Sequence, residues 1–224
     1  MAVILKAAHV TRTLQEAVPV TLVRDASLEV QAGEFVAITG PSGSGKSSLL
    51  YLLGLLDRPT EGVIEVEGRA TDGLDENALA ALRLEKLGFV FQSHFLLPEF
   101  TALENVMLPM RRLGRLDEKE CRSRAEELLA SVDLSDHSHK APQQMSGGQK
   151  QRVAVARALA NDPLIVLADE PTGNLDTASS AMVQQLLKGL VAGAKRAVIA
   201  VTHDPAFAAM ALRQVRIVDG RIAA

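Results

Sequence analysis

The chain has no tryptophan, one tyrosine and one cysteine in 224 residues. The single cysteine, Cys121, permits no internal disulfide and fits a reducing compartment. It stands in a charged helical stretch and reads as a bystander. An excess of basic charge is missing too: 24 Lys and Arg face 27 Asp and Glu, a net charge of −3. No positive field for nucleic acid is expected. No apolar run approaches the roughly 20 residues that cross a bilayer. Met1-Ala2-Val3-Ile4-Leu5 is too short for the apolar region of a secretory signal. The expectation is a soluble protein, with any membrane role coming through a partner. Internal repeats and low-complexity linkers are also lacking. The apolar content of 47% is that of an ordinary globular protein, and the length suits one core with a subdomain.

What is present begins with Gly40-Pro41-Ser42-Gly43-Ser44-Gly45-Lys46-Ser47, which matches G-x-x-x-x-G-K-[ST]. Before it, Phe35-Val36-Ala37-Ile38-Thr39 is short and apolar and reads as a buried strand. After it, Ser47 to Leu53 reads as a helix. In this context glycines let backbone N–H groups turn inward, and the helix N-terminus adds a partial positive charge, so the loop cradles a nucleotide's phosphates. Lys46 would reach the β- and γ-phosphates and the Ser47 hydroxyl would ligate Mg²⁺. The bland alternative is a glycine-rich turn, which the complete pattern disfavours.

Leu164-Ile165-Val166-Leu167-Ala168-Asp169-Glu170 opens with four large apolar residues, the mark of a strand buried on both faces in a parallel sheet. Carboxylates at such an end need a counter-charge or a metal. Asp169 suits the Mg²⁺ shell, through water. Glu170, pointing to the other side, suits a base that orients an attacking water. An acidic turn capping the next helix is the plainer reading.

Ser146-Gly147-Gly148-Gln149 also has a plain reading, as a capping box before the helix Lys150 to Ala160. Two glycines in a first helical turn nevertheless disfavour a helix. They make sense where an anion approaches bare backbone N–H groups. Two phosphate-cradling loops in one chain suggest that each serves a different nucleotide.

With these motifs in order the chain resembles the nucleotide-binding subunits of ABC transporters over nearly its whole length. Met145-Ser146-Gly147-Gly148-Gln149 is similar to the family signature, with Met for the usual Leu. Gln92, after the strand Gly88-Phe89-Val90-Phe91, matches the Q-loop. Asn174-Leu175-Asp176 matches the D-loop. His203, after Ala197 to Val201, matches the switch histidine. Read as a lone residue, Gln92 could be a polar strand end and His203 a turn before Asp204-Pro205. The resemblance implies ATP and Mg²⁺ as cofactors. Binding would fall to residues 40–47 with Ser48 (in place of a common Thr) and to Ser146, Gly147, Gly148 and Gln149. The metal would lie near Ser47, Gln92 and Asp169, and catalysis would use Lys46, Gln92, Glu170 and His203. It also implies a head-to-tail dimer of two copies sandwiching two ATP molecules, and membrane permease subunits as partners at the cytoplasmic face of the inner membrane.

Leu96 to Val106 and Ala168 to Asp176 are similar to the branch of lipoprotein-releasing and macrolide-export ATPases. A soluble remodelling or cell-division ATPase is the alternative. Phe95, Leu96, Leu97, Phe100 and Leu108 supply apolar surface for a membrane-subunit helix, or core. The family usually stacks an aromatic on adenine near the end of the first strand. Here that neighbourhood is Thr11-Arg12-Thr13-Leu14.

The fold class expected is α/β: a P-loop NTPase core with an N-terminal antiparallel β-subdomain and a helical subdomain. Residues 1–91 and 161–224 would form the core and β-subdomain, and about 92–160 the helical part. Strands are expected at Val3 to Val10, Leu22 to Val30, Val63 to Val66 and near Val215 to Val218. An amphipathic helix is expected at Leu116 to Val132. So little sequence follows His203 that no added regulatory domain is expected. His94, His137 and His139 read as surface, as do the arginines Arg111, Arg112, Arg122 and Arg124.

Overall fold

A computed structural model describes residues 2–15, 17–192 and 196–223. Two sheets organise it. β1 (Val3–Leu14), β2 (Val20–Gln31), β4 (Glu61–Val66) and β5 (Arg69–Ala70) form an antiparallel sheet in the order β2-β1-β4-β5. β3 (Phe35–Thr39), β6 (Leu87–Phe91), β7 (Ile165–Asp169), β8 (Ala197–Val201), β9 (Arg213–Val218) and β10 (Arg221–Ile222) form the second, in the order β10-β9-β3-β8-β7-β6. All its neighbours run parallel except the β9–β10 hairpin.

The central strands are apolar up to their carboxyl ends, where β3 finishes in Thr39 and β7 in Asp169, because both faces are covered. Ile165, Leu167, Ile199 and Ile38 face one core. That core also takes α1 (Lys46–Leu53) and the inner side of the antiparallel sheet. Val166, Ala168, Val198 and Ala200 face the other, built with α3 (Ala102–Leu113), α4 (Glu118–Ser131), α5 (Gly147–Ala158) and α6 (Thr177–Gly189). The period-2 geometry of a strand thus sorts one short run between two hydrophobic clusters. α2 (Glu76–Lys86) runs directly into β6, and α7 (Pro205–Ala208) is a single turn that buries Phe207.

Two details fix the region after Gln92. Thr101 and Glu104 close a capping box at the start of α3. Asn105, fully buried, accepts from the Leu97 N–H and donates to the carbonyls of Leu97, Phe100 and Thr101. One side chain therefore satisfies a loop that would otherwise bury bare backbone. Leu103, Val106, Met107 and Met110 are core, and Leu96 packs against it. Much of the apolar character of this stretch is therefore packing, and only Phe95 (64%) and Leu97 (43%) stand well exposed.

Candidate functional site

Ile38 pairs with Val201, Val201 with Asp169, and Asp169 with Phe91. The segments that follow these strands, carrying Gly40 to Ser47, His203, Glu170 and Gln92, leave the sheet side by side at its carboxyl edge. Ligands of open α/β sheets bind outside this edge.

The loop from Gly40 to Ser47 is shaped by its neighbours. Gly45 has φ +100, and a Cβ there would lie 2.3 Å from the Leu22 carbonyl oxygen. Both the left-handed backbone and the passage of β2 behind the loop require glycine. α1 starts with no side-chain cap and no acidic residue in its first turn, which leaves N–H groups open to an anion. Ser44 Oγ is buried without a hydrogen-bond partner. Lys46, only 8% exposed, donates to the carbonyls of Gly40 (3.1 Å) and Pro41 (2.8 Å). Its bonds go to neutral oxygens, so a buried ammonium lacks a counter-charge, a costly state that a bound anion relieves. Pro41, Ser42 and Gly43 form the exposed rim, and Ser48 lies on α1 behind it.

Ser47 Oγ donates to Asp169 Oδ1 and Tyr51 Oη to Asp169 Oδ2, both at 2.9 Å. Burial first, and then the bond to Asp169, push the Tyr51 phenol up to about 12. A hydroxyl and a carboxylate in contact, Ser47 with Asp169, are the hard oxygen donors that Mg²⁺ takes, and they fit it. Among the described residues no cluster of three or more His, Cys, Asp or Glu could hold a metal. A cation here would complete its shell with phosphate and water. Gln92 does not join this pair: its Nε2 donates to Asn174 Oδ1 at 3.2 Å.

Glu170 has φ +45, unusual for a residue with a side chain, and its N–H bonds the Val201 carbonyl at 3.0 Å. Its direction is therefore set by a left-handed turn rather than by strand alternation, a local strain typical of functional positions. Its Oε2 lies 3.3 Å from His203 Nδ1. The two carboxylates thus diverge: Asp169 to the α1 hydroxyls, Glu170 to the histidine.

At the start of α5 the plain reading and the sharper one coexist. Ser146 Oγ accepts from the Gln149 N–H, and Gln149 Oε1 accepts from the Ser146 N–H. A Cβ on Gly148 would fall 2.3 Å from Ser179 Oγ. Gly148 is small because α6 packs against it, whereas Gly147 is exposed with nothing nearer than the Leu175 methyl at 3.7 Å from such a Cβ. Packing thus accounts for one of the two glycines and leaves Gly147 open to an approaching group. Asp176 caps α6 through Ser179, whose N–H and hydroxyl hold the Asp176 carboxyl below the ordinary range.

Sequence reasoning missed the residues that tie these loops together. Gln151, fully buried, donates to the carbonyls of Phe91 (3.2 Å) and Pro171 (2.7 Å), so α5 holds the backbone beside both Gln92 and Glu170. A glutamine on the buried face of α5 is the sequence signal that could have found it. Arg157 donates to the carbonyls of His94 (2.7 Å) and Phe95 (2.6 Å), and burial lowers its pKa. His94 and His137 are half-buried rather than surface, each with one ring nitrogen buried and unpartnered. Burial, and then the charge of Lys150, lowers the His94 pKa. Cys121 is buried, which raises its thiol pKa and agrees with an inert role.

A family model described as ABC transporter matches residues 23–173. The chain belongs to the ABC transporter family. It is 51% identical over 210 residues to the lipoprotein-releasing system ATP-binding protein LolD 1 of Chlorobium chlorochromatii, covering 94% of this chain and 85% of that one. It is 46% identical to LolD of Aquifex aeolicus, covering 99% and 97%. It is 48% identical to the macrolide export ATP-binding/permease protein MacB 1 of Yersinia pestis, covering all of this chain and 34% of that longer protein. Among solved structures, a dimeric post-hydrolysis state of the ATP-binding cassette MJ0796 bound to ADP and Pi superposes with a TM-score of 0.92. Its identity is 42%, and 98% of this chain and 97% of that one are covered. A second dimeric structure of MJ0796 gives 0.91. The fold is that of an ABC ATPase cassette.

Proposed function

We propose that this ABC ATPase hydrolyses ATP as a head-to-tail dimer and powers a membrane exporter of the lipoprotein-release or macrolide-efflux type. The observation that carries the reading is Lys46, a buried ammonium with only carbonyl partners at the mouth of an uncapped helix. Residues 40–47 and Ser48 hold the phosphates of one ATP. Ser146, Gly147, Gly148 and Gln149 contact the nucleotide of the other copy. Ser47 and Asp169, with Gln92 as the family pattern implies, would hold Mg²⁺, which would supply charge neutralisation of the phosphates. Glu170 orients the attacking water, and His203, 3.3 Å from it, steadies the carboxylate and faces the γ-phosphate.

Among the described residues no helix is long and apolar enough to cross a membrane. On this reading the work done by closing passes to a permease, and the subunit acts at the cytoplasmic face of the inner membrane through that partner. A groove of about 340 Å³ between β6, α2 and the end of α5, lined by Leu84, Phe89, Phe91, Pro109 and Arg157, opens beside exposed Phe95. Arg157 joins this groove to the segment after Gln92. The soluble-remodeller reading has no such dedicated feature. Leu97→Glu tests the choice. The Leu97 backbone is clamped by Asn105 while its side chain is exposed, so the fold should tolerate the change. The expected result is loss of co-purification with the permease and loss of transport, with basal ATPase of the isolated subunit retained. Normal binding of the mutant to its membrane partner would move the contact away from Leu97, and failure of any membrane protein to co-purify with the native chain would favour the soluble reading.

Base selectivity should be weak. Leu14 ends β1, in register with Val20 on the strand whose Leu22 backs the phosphate loop. An aliphatic side chain there forgoes the ~1–3 kcal/mol of aromatic stacking per base, and phosphate and metal contacts ignore the base. GTP hydrolysis is therefore expected to approach that of ATP in side-by-side steady-state assays. Strong ATP selectivity would place the adenine elsewhere.

A further inference from the structure

Tyr51 is the only tyrosine of a chain without tryptophan, and none of the roles above uses it. It lies on α1 one turn after Ser47, so both side chains leave the same helix face. Its neighbours Leu49, Leu50, Leu52 and Leu53 are buried core, whereas the Tyr51 hydroxyl is aimed at the end of β7. There it meets Asp169 Oδ2 at 2.9 Å while Ser47 meets Oδ1 at 2.9 Å. Each carboxylate oxygen therefore has its own donor from α1. With Oδ2 held by the phenol, the carboxylate cannot rotate freely about its χ2 axis, and Oδ1 is kept beside the Ser47 hydroxyl. Mg²⁺ tolerates little departure from octahedral geometry, and partners that orient a ligating carboxylate govern metal affinity.

We infer that Tyr51 is a positioning residue for the divalent cation: its hydroxyl holds Asp169 in the orientation that, with Ser47, receives Mg²⁺. This rests on the ATPase reading above.

Tyr51→Phe removes one oxygen and keeps the ring. ATPase rates measured against free Mg²⁺ at saturating ATP should show the half-saturating Mg²⁺ raised about 10–100-fold, the usual effect of losing such a partner. ATP affinity measured in EDTA should be unchanged, and so should the thermal midpoint of the metal-free protein. A second readout is independent of turnover. With one tyrosine and no tryptophan, the tyrosine emission reports Tyr51 alone. A phenol donating to a carboxylate is quenched, because the excited phenol hands over its proton. Asp169→Ala should therefore brighten the emission in the metal-free protein. A wild-type Mg²⁺ dependence in Tyr51→Phe, or emission indifferent to Asp169→Ala, overturns the inference while leaving the ATPase reading intact. A wild-type protein that hydrolyses no ATP at any Mg²⁺ concentration overturns that reading, and the positioning role with it.

Discussion

Glu170→Gln is expected to lower ATP turnover by about 10²–10⁴-fold, the contribution of a positioned base, while ATP binding survives. The amide has nearly the shape of the carboxylate, so the left-handed turn at φ +45 and the N–H bond to Val201 should persist. What is lost is the acceptor that orients water and the charge beside His203 Nδ1. A cassette that binds but does not hydrolyse should accumulate in its closed form, so gel filtration with Mg²⁺-ATP should show a dimer that disappears without nucleotide. Hydrolysis by Glu170→Gln at the wild-type rate would remove Glu170 from the mechanism.

Contiguous signals were legible in the sequence. The apolar runs of β3, β7 and β8 need no partner to be recognised, because full burial leaves no polar face. The phosphate loop and the Ser146 cap are also local, each defined within a few residues. The β1–β2 hairpin was harder. Its strands continue to Leu14 and Gln31 through polar Thr11, Arg12 and Thr13, and the pairing shifts register several times along the way. Irregular pairing breaks the two-residue alternation on which a strand reading depends. The helix after Ser146 begins at Gly147, earlier than the sequence suggests, because the closed capping box and the packing of Ser179 on Gly148 outweigh the poor helix propensity of glycine.

Within the site, each loop was legible and the bonds between loops were not. Gln151 reaches Phe91 across 60 residues, Arg157 reaches His94 across 63 and Tyr51 reaches Asp169 across 118. No local pattern marks such pairs. They exist because β6, β7 and α5 are brought together by sheet order, which a single sequence expresses only through its consequences. Gln92 illustrates the same limit. Its position was legible, but its partner Asn174 sits beyond the signature helix in sequence.

The central claim, that each catalytic centre combines the phosphate loop of one copy with the Ser146 segment of another, is tested most directly by mixing two inactive chains. Lys46→Ala removes the buried ammonium, and Ser146→Arg fills the exposed start of α5. Each variant alone should be inactive, because both centres of its homodimer carry the defect. In a mixed dimer one centre carries both defects and the other carries neither. Random pairing makes half the dimers mixed, so about a quarter of wild-type turnover should return on mixing if the two-fold arrangement holds and the centres act independently. No recovery in dimers shown by differential tagging to contain both chains would mean that each centre is built within one chain, contradicting the account.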